Sequence, residues 1–191
     1  MPEISTRSIL SWHYSRLLPF ELAELKKHGV SVTGVDHMKQ RIFELVKRGY
    51  LTRLEESKIL NSSPLNNNEQ LHARSGKFWM TASRLPPTDS GVELLLGNWG
   101  GEVVYFWQSD PAIIAKLRQI GSPTVIELCV PLAKTRHVYN AARAMVHVFL
   151  SRPASESSFD LYVETALLAR AVRNVWTSND AGFSGFGVDS P

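Results

Sequence analysis

The chain has 191 residues, of which 43% are hydrophobic and 20% are charged, and its formal net charge is +3. This length is enough for one well-buried core and short for two large domains, and the composition excludes a disordered chain. A surplus of three positive charges does not by itself indicate a nucleic-acid partner, and it is equally compatible with a phosphate-rich ligand.

The first predicted elements are a strand and a helix. A short apolar run leads into His13, which we expect to close the strand, and apolar residues at helical spacing over 17–25 predict a helix that ends before Gly29. A histidine at a strand end, followed by a helix, can present an imidazole and backbone amides to one small ligand. The alternative is a packed histidine with one satisfied hydrogen bond.

A helical insertion is predicted over residues 36–60. Asp36 can cap a first helix that runs to Gly49, and Thr52 with Glu55 forms a capping box for a second helix that ends near Leu60. The charged outer surface of this insertion is typical of a solvated packing face. The other interpretation is a lid or a target-recognition element.

The remaining chain mixes strands and helices, after a loop at 61–68. The predicted strands are 77–83, 102–107, 124–130, 159–164 and 172–177. The predicted helices are 92–96, 111–118 and 138–150, the last with Ala141, Met145, Val148 and Phe149 toward the core. Residues 178–191 are predicted to form a flexible tail. The pattern predicts a single α+β domain over 1–191 with a split, mostly antiparallel sheet.

Cysteine and histidine usage argues against several kinds of site. The one cysteine, Cys129, lies in an apolar run, which excludes an intrachain disulfide and a zinc site built on cysteines. The six histidines have no ligand spacing, so we predict no metal. No signal-like start and no apolar stretch of membrane-spanning length is found, so we predict a cytoplasmic protein without a membrane partner.

Three groups of residues could carry chemistry. The first is the run of residues 12–16 around His13. The second is the strand 77–83, with an aromatic ring at Trp79. The third is an acidic residue: Glu164 or Asp160 on a late strand, or Glu102 after the paired glycines 100 and 101. Each acid could instead be a solvent-facing residue.

In their order along the chain, these groups resemble the ADP-ribosyltransferase-like domains. There, a His-x-[Ser/Thr] element on the first strand holds the nicotinamide ribose of NAD, and a Gly-x-[Tyr/Trp]-Phe-[Thr/Ala] element supplies a stacking ring. The resemblance implies a cleft between the halves of the sheet with NAD as co-substrate. The implied NAD-binding residues are His13, Tyr14, Ser15, Arg16 (toward the diphosphate), Trp79 (stacking on nicotinamide), Thr81 and Ser83. It also implies a catalytic acid, for which Glu164, Asp160 and Glu102 compete.

The implied reaction is transfer of ADP-ribose from NAD to a protein or nucleic-acid acceptor, with release of nicotinamide. Hydrolysis of NAD is a variant, and the setting would be a bacterial toxin, an effector or an anti-phage element. The alternative is a non-enzymatic binding module whose helical first third engages a protein or nucleic acid.

Overall fold

One open antiparallel sheet organises the chain. The computed structural model describes residues 6–151 and 158–187, and its five strands lie in the order β4-β2-β1-β3-β5. The strands are β1 (Ser8–Leu17), β2 (Phe78–Thr81), β3 (Ser122–Pro131), β4 (Asp160–Val163) and β5 (Val172–Thr177). The predicted α+β class is therefore confirmed.

Most of the helices precede the third strand. Those of the first half are α1 (Pro19–His28), α2 (Val35–Lys47), α3 (Arg53–Asn61) and α4 (Asn68–Arg74). Those of the second half are α5 (Glu93–Gly97), α6 (Glu102–Tyr105), α7 (Pro111–Leu117) and α8 (Val138–Phe149). None of these helices combines the length and apolar character needed to span a bilayer.

The sheet is divided into two parts. β1 pairs with β3 along its whole length, whereas it joins β2 at a single position, Trp12 opposite Thr81. We call this pair the junction. Beyond it the sheet separates into β1-β3-β5 on one side and β2-β4 on the other, which confirms the predicted split sheet.

The two faces of the sheet are covered by different elements. Helix α1 and the segments around Val30 and Leu167 cover one face, where Met80, Ile126 and Leu161 are buried. The opposite face is covered by α5 and by residues close to the end of the chain. The buried residues on this face are Trp12, Tyr14, Val92, Leu96, Val125, Phe183 and Phe186. A third cluster, with Trp99 and Ile42 at its centre, joins α2, α3, α6 and α7.

Two predicted strand features are wrong. β1 does not close at His13, because it continues to Leu17 paired with Ser122. Residues 102–107 are not a strand, since Glu102–Tyr105 forms α6. Branched residues favour a strand locally, but Val103 and Val104 are both buried in the helical cluster, and adjacent residues of a half-covered strand would point to opposite faces.

Helix α8 is found where it was predicted, but its orientation was predicted wrongly. Of the four residues expected toward the core only Ala141 is buried, while Met145, Val148 and Phe149 are exposed. The segment predicted as a flexible tail places Phe183 and Phe186 against the sheet, and its residues 188–191 lie outside the described part.

Candidate functional site

His13 lies directly after the junction, where β1 and β2 separate. Its Nδ1 atom is 2.8 Å from the carbonyl oxygen of Trp79, and its ring centroid is 4.3 Å from that of Phe78. Its partner on β3 is Ile126, so the imidazole lies on the face of the sheet that α1 covers. Here the imidazole bridges the two halves of the sheet.

The protonation state of His13 follows from this position. Burial lowers the pKa of His13 to about 4; the bond to the Trp79 carbonyl opposes this shift and the charge of Arg41 adds to it. The ring is therefore neutral at pH 7. In that state the short contact to a carbonyl requires the proton on Nδ1, which donates to the Trp79 oxygen.

This pKa predicts a pH-dependent stability. The unfolded value near 6.5 exceeds the folded value of about 4, so the unfolded chain binds more protons between these two pH values. The contribution of His13 to the free energy of unfolding is therefore fully present above pH 6.5, and it is lost as the pH falls toward 4. Between pH 7.5 and pH 4.5 the wild type should lose about 2 kcal/mol of its free energy of unfolding through His13. The variant His13→Gln should not show this part of the loss, as measured by urea unfolding at both pH values. Identical pH dependence in the two proteins would contradict this.

The neighbours of His13 are used within the fold. The hydroxyl of Tyr14 donates to the Leu85 carbonyl at 3.1 Å and accepts from the Leu85 amide at 2.7 Å. Ser15 is buried. The Arg16 guanidinium donates to three carbonyls, those of Leu96, Ile120 and Gly121, at 2.7 to 3.2 Å. These contacts hold the segments beside β1 in place and occupy the donors that the resemblance assigned to NAD.

The aromatic residue of β2 lies on the other face of the sheet. Trp79 is opposite Tyr162 of β4, and the next pair, Met80 with Leu161, is buried under α1. Since successive side chains of a strand alternate, the Trp79 and His13 side chains lie on opposite faces. The two residues predicted to line a pocket with hydroxyls, Thr81 and Ser83, contact each other: the Thr81 hydroxyl donates to the carbonyl of Ser83 at 2.8 Å.

Trp79 is part of an aromatic group on that face. Its ring is 40% exposed and lies 4.7 Å from the ring of Tyr162. The His137 ring meets Tyr162 edge-on at 4.9 Å, and the ammonium group of Lys77 is 5.1 Å from the Tyr162 centroid. The Tyr162 ring therefore has two aromatic neighbours and one cation.

A groove of about 580 Å³ opens beside this group. We call it the α4–β4 groove, and its lining residues are Asn68, Leu71, His72, Ser75, Lys77, Arg136, Tyr162 and Glu164. Its volume falls in the range typical of small-molecule sites. A carboxylate oxygen of Glu164 accepts from Nε of Arg136 at 3.0 Å, so the groove holds one oriented carboxylate and two cationic groups, Lys77 and Arg136.

The two other candidate acids lie apart from this lining. Asp160 is opposite Thr81 and shares the face of Trp79 and Tyr162; burial raises its pKa, the charge of His137 lowers it and that of Glu102 raises it. Glu102 forms an ion pair with Arg74 at 3.0 Å. Asp160 and Glu164 therefore lie on the face of the sheet away from the His13 imidazole, and Glu102 lies on helix α6.

Several residues of the groove were not predicted from the sequence. Lys77 and Arg136 precede a strand and a helix as ordinary surface cations, and Tyr162 is one member of an alternating strand. The pairing of β2 with β4 brings Lys77 to Tyr162, and a bridge between Thr135 and Val163 brings Arg136 beside β4. In the described ranges no group of three or more His, Cys, Asp and Glu residues could hold a metal ion. Comparison with family models, curated proteins and solved structures finds no match.

Proposed function

We propose that the chain binds NAD in the α4–β4 groove and transfers its ADP-ribose, with release of nicotinamide, to a protein or nucleic-acid acceptor. The observation that carries this proposal is the position of Glu164. It shares one groove with Tyr162, whose ring packs on Trp79, and with the cations Lys77 and Arg136. A dinucleotide needs a stacking surface, counter-charges for its diphosphate and a carboxylate near its ribose, and these three groups meet here.

Each group has a distinct task in this proposal. The half-buried ring of Tyr162 and the exposed ring of Trp79 offer a surface to an aromatic base, and Lys77 and Arg136 face the diphosphate. When the bond between ribose C1′ and nicotinamide breaks, its electron pair leaves with nicotinamide and positive charge develops on the ribose. The Glu164 carboxylate stabilises that charge and orients a ribose hydroxyl. The acceptor nucleophile then bonds to C1′ and releases its proton to solvent.

His13 has a different task from the one the resemblance implies. Its imidazole lies on the opposite face and donates to the Trp79 carbonyl. In the proposed site it is a positioning residue. Its bond holds the backbone of β2 at Trp79 next to β1, where the two strands begin to separate.

The test is NAD binding by calorimetry together with release of nicotinamide from labelled NAD. We expect Tyr162→Ala to weaken NAD binding at least about tenfold, because base stacking on an aromatic ring is worth about 1–3 kcal/mol. Tyr139→Ala is the matched control, since that tyrosine is exposed on α8 and does not line the groove. Absence of NAD binding by the wild type would refute the proposal.

A second candidate is the non-enzymatic binding module. The observation that favours it is the exposure of three large apolar residues on the helical part, Phe43, Tyr50 and Leu54, with the Arg53 guanidinium 5.2 Å from the Phe43 centroid. This function predicts nucleic-acid binding with a steep salt dependence and no NAD turnover. A fluorescent oligonucleotide titrated at several salt concentrations distinguishes it from the first candidate.

A further inference from the structure

The end of helix α8 is the most exposed apolar surface among the described residues. Five consecutive or near-consecutive side chains are more than half exposed there: Met145 (60%), Val146 (53%), Val148 (67%), Phe149 (86%) and Leu150 (55%). Scattered surface hydrophobes are normal, but a contiguous group marks an interaction site. We call these five residues the α8 tip.

The segment of sequence that contains the α8 tip carries charge of one sign. From residue 128 to residue 155 the sequence contains no Asp or Glu, and its cations are Lys134, Arg136, Arg143 and Arg152. Arg143 is exposed on α8 itself, two residues before the tip begins. Of these cations, Arg136 is paired with Glu164, whereas Arg143 lies beside the apolar tip on the same helix.

We propose that the α8 tip inserts into the interface of a membrane that carries anionic lipids. Apolar side chains next to cations are typical of helices that enter the boundary between headgroups and acyl chains. Arg143 and Lys134 then face the lipid phosphates, while Phe149 and Val148 enter the apolar layer. Such binding is distinct from spanning, which none of the described helices can do.

The arrangement of the side chains favours a lipid layer over a protein groove. At about 100° per residue, the five tip residues cover an arc of roughly 200° around the helix. A helix that binds a groove presents a narrower stripe, with anchors at i, i+3, i+4 and i+7. An arc this wide can be buried only by a medium that surrounds the end of the helix.

Two other occupants fit less well. The residues outside the described ranges contain only three large apolar side chains, Met1, Ile4 and Val188, which are too few to cover the tip. A second copy related by two-fold symmetry would bring this segment, which has no Asp or Glu from residue 128 to residue 155, against the same segment of its partner. An anionic lipid surface supplies both the apolar layer and the opposite charge.

The test is flotation of the full chain with phosphatidylcholine vesicles, with and without phosphatidylglycerol. We expect co-flotation with the anionic vesicles, weakened at least about tenfold in the double variant Val148→Ser, Phe149→Ser. Arg143→Ala should weaken binding less, and high salt should have a similar partial effect. Because all three residues are exposed, these variants should unfold at the wild-type urea concentration.

Leu94→Ser is the matched control, since Leu94 is an exposed leucine (52%) on α5, outside the basic segment of the sequence. It should float like the wild type. Equal flotation of the control and the double variant would overturn the proposal, and so would the absence of binding to anionic vesicles. A concentration-dependent dimer that the double variant abolishes, seen by sedimentation without lipid, would also overturn it in favour of a second copy.

Discussion

Glu164→Gln is expected to lower the rate of nicotinamide release at least about 100-fold while changing the affinity for NAD by no more than a few-fold. Removing one group that stabilises developing charge in a transition state typically costs about 10²–10³ in rate. Gln has nearly the shape of Glu and can still contact Arg136, now without an ion pair, so ground-state binding is preserved while the negative charge near the ribose is lost. Single-turnover kinetics at saturating NAD measures the rate, and calorimetry measures the affinity.

The rival acids and a matched control belong to the same experiment. Asp160→Asn and Glu102→Gln are expected to retain most of the activity, because neither residue lines the groove. Glu93→Gln, at an exposed glutamate in α5, should behave like the wild type. If Asp160→Asn abolishes release and Glu164→Gln does not, the carboxylate assignment is wrong, even if NAD turnover itself is observed.

The sequence predicts well those features that depend on neighbouring residues. The capping box of Thr52 and Glu55 is present as predicted, with the Thr52 hydroxyl accepting from the Glu55 amide. Asp110 similarly accepts from the Ala112 amide where a helix start was predicted. Helix starts are encoded within four residues, so no tertiary information is needed to find them.

The face of the sheet on which a side chain lies could not be predicted in the same way. His13 and Trp79 occur in the order that the resemblance requires, yet their side chains point to opposite faces. A shift of one residue in strand pairing reverses every side chain, and the pairing of β1 with β2 at one position depends on contacts far apart in the sequence. The groove residues Lys77 and Tyr162 could not be associated for the same reason.

The exposed end of α8 shows a second limit. Apolar residues at helical spacing predict a core-facing helix, and the pattern does not distinguish a core from any other apolar environment. Phe149 is 86% exposed and Ala141 is the buried residue of α8, so the helix packs near its start and not at its end. The prediction that the apolar side chains of this helix face the core was therefore right for Ala141 and wrong for Met145, Val148 and Phe149.

A partly buried ion pair joins α1 to α2. Glu21 of α1 accepts from Nε of Arg41 at 2.9 Å through one oxygen, and through the other from the Leu18 amide and the indole of Trp99, both at 3.0 Å. The Arg41 guanidinium also lies 4.7 Å from the ring centroid of Trp99, which is fully buried. All the acceptor directions of Glu21 are used within the fold.

Arg41→Met is therefore expected to lower the free energy of unfolding by about 1–3 kcal/mol, because it leaves the nearly buried Glu21 carboxylate without its cation, while the Arg41 side chain itself is 25% exposed. Methionine keeps most of the side-chain volume, so the loss comes from the carboxylate left without its cation. Urea denaturation at pH 7 measures it. The control is Arg53→Met, which breaks the exposed pair with Glu56 and should cost less than about 0.5 kcal/mol.

A double-mutant cycle separates the ion pair from other effects of the substitution. Adding Glu21→Gln to Arg41→Met removes the unpaired charge while the amide oxygen still accepts from Trp99. The double variant should then be more stable than Arg41→Met alone by at least about 1 kcal/mol. If the two substitutions are additive, the pair does not couple the helices, and the stacking of Arg41 on Trp99 must account for the loss.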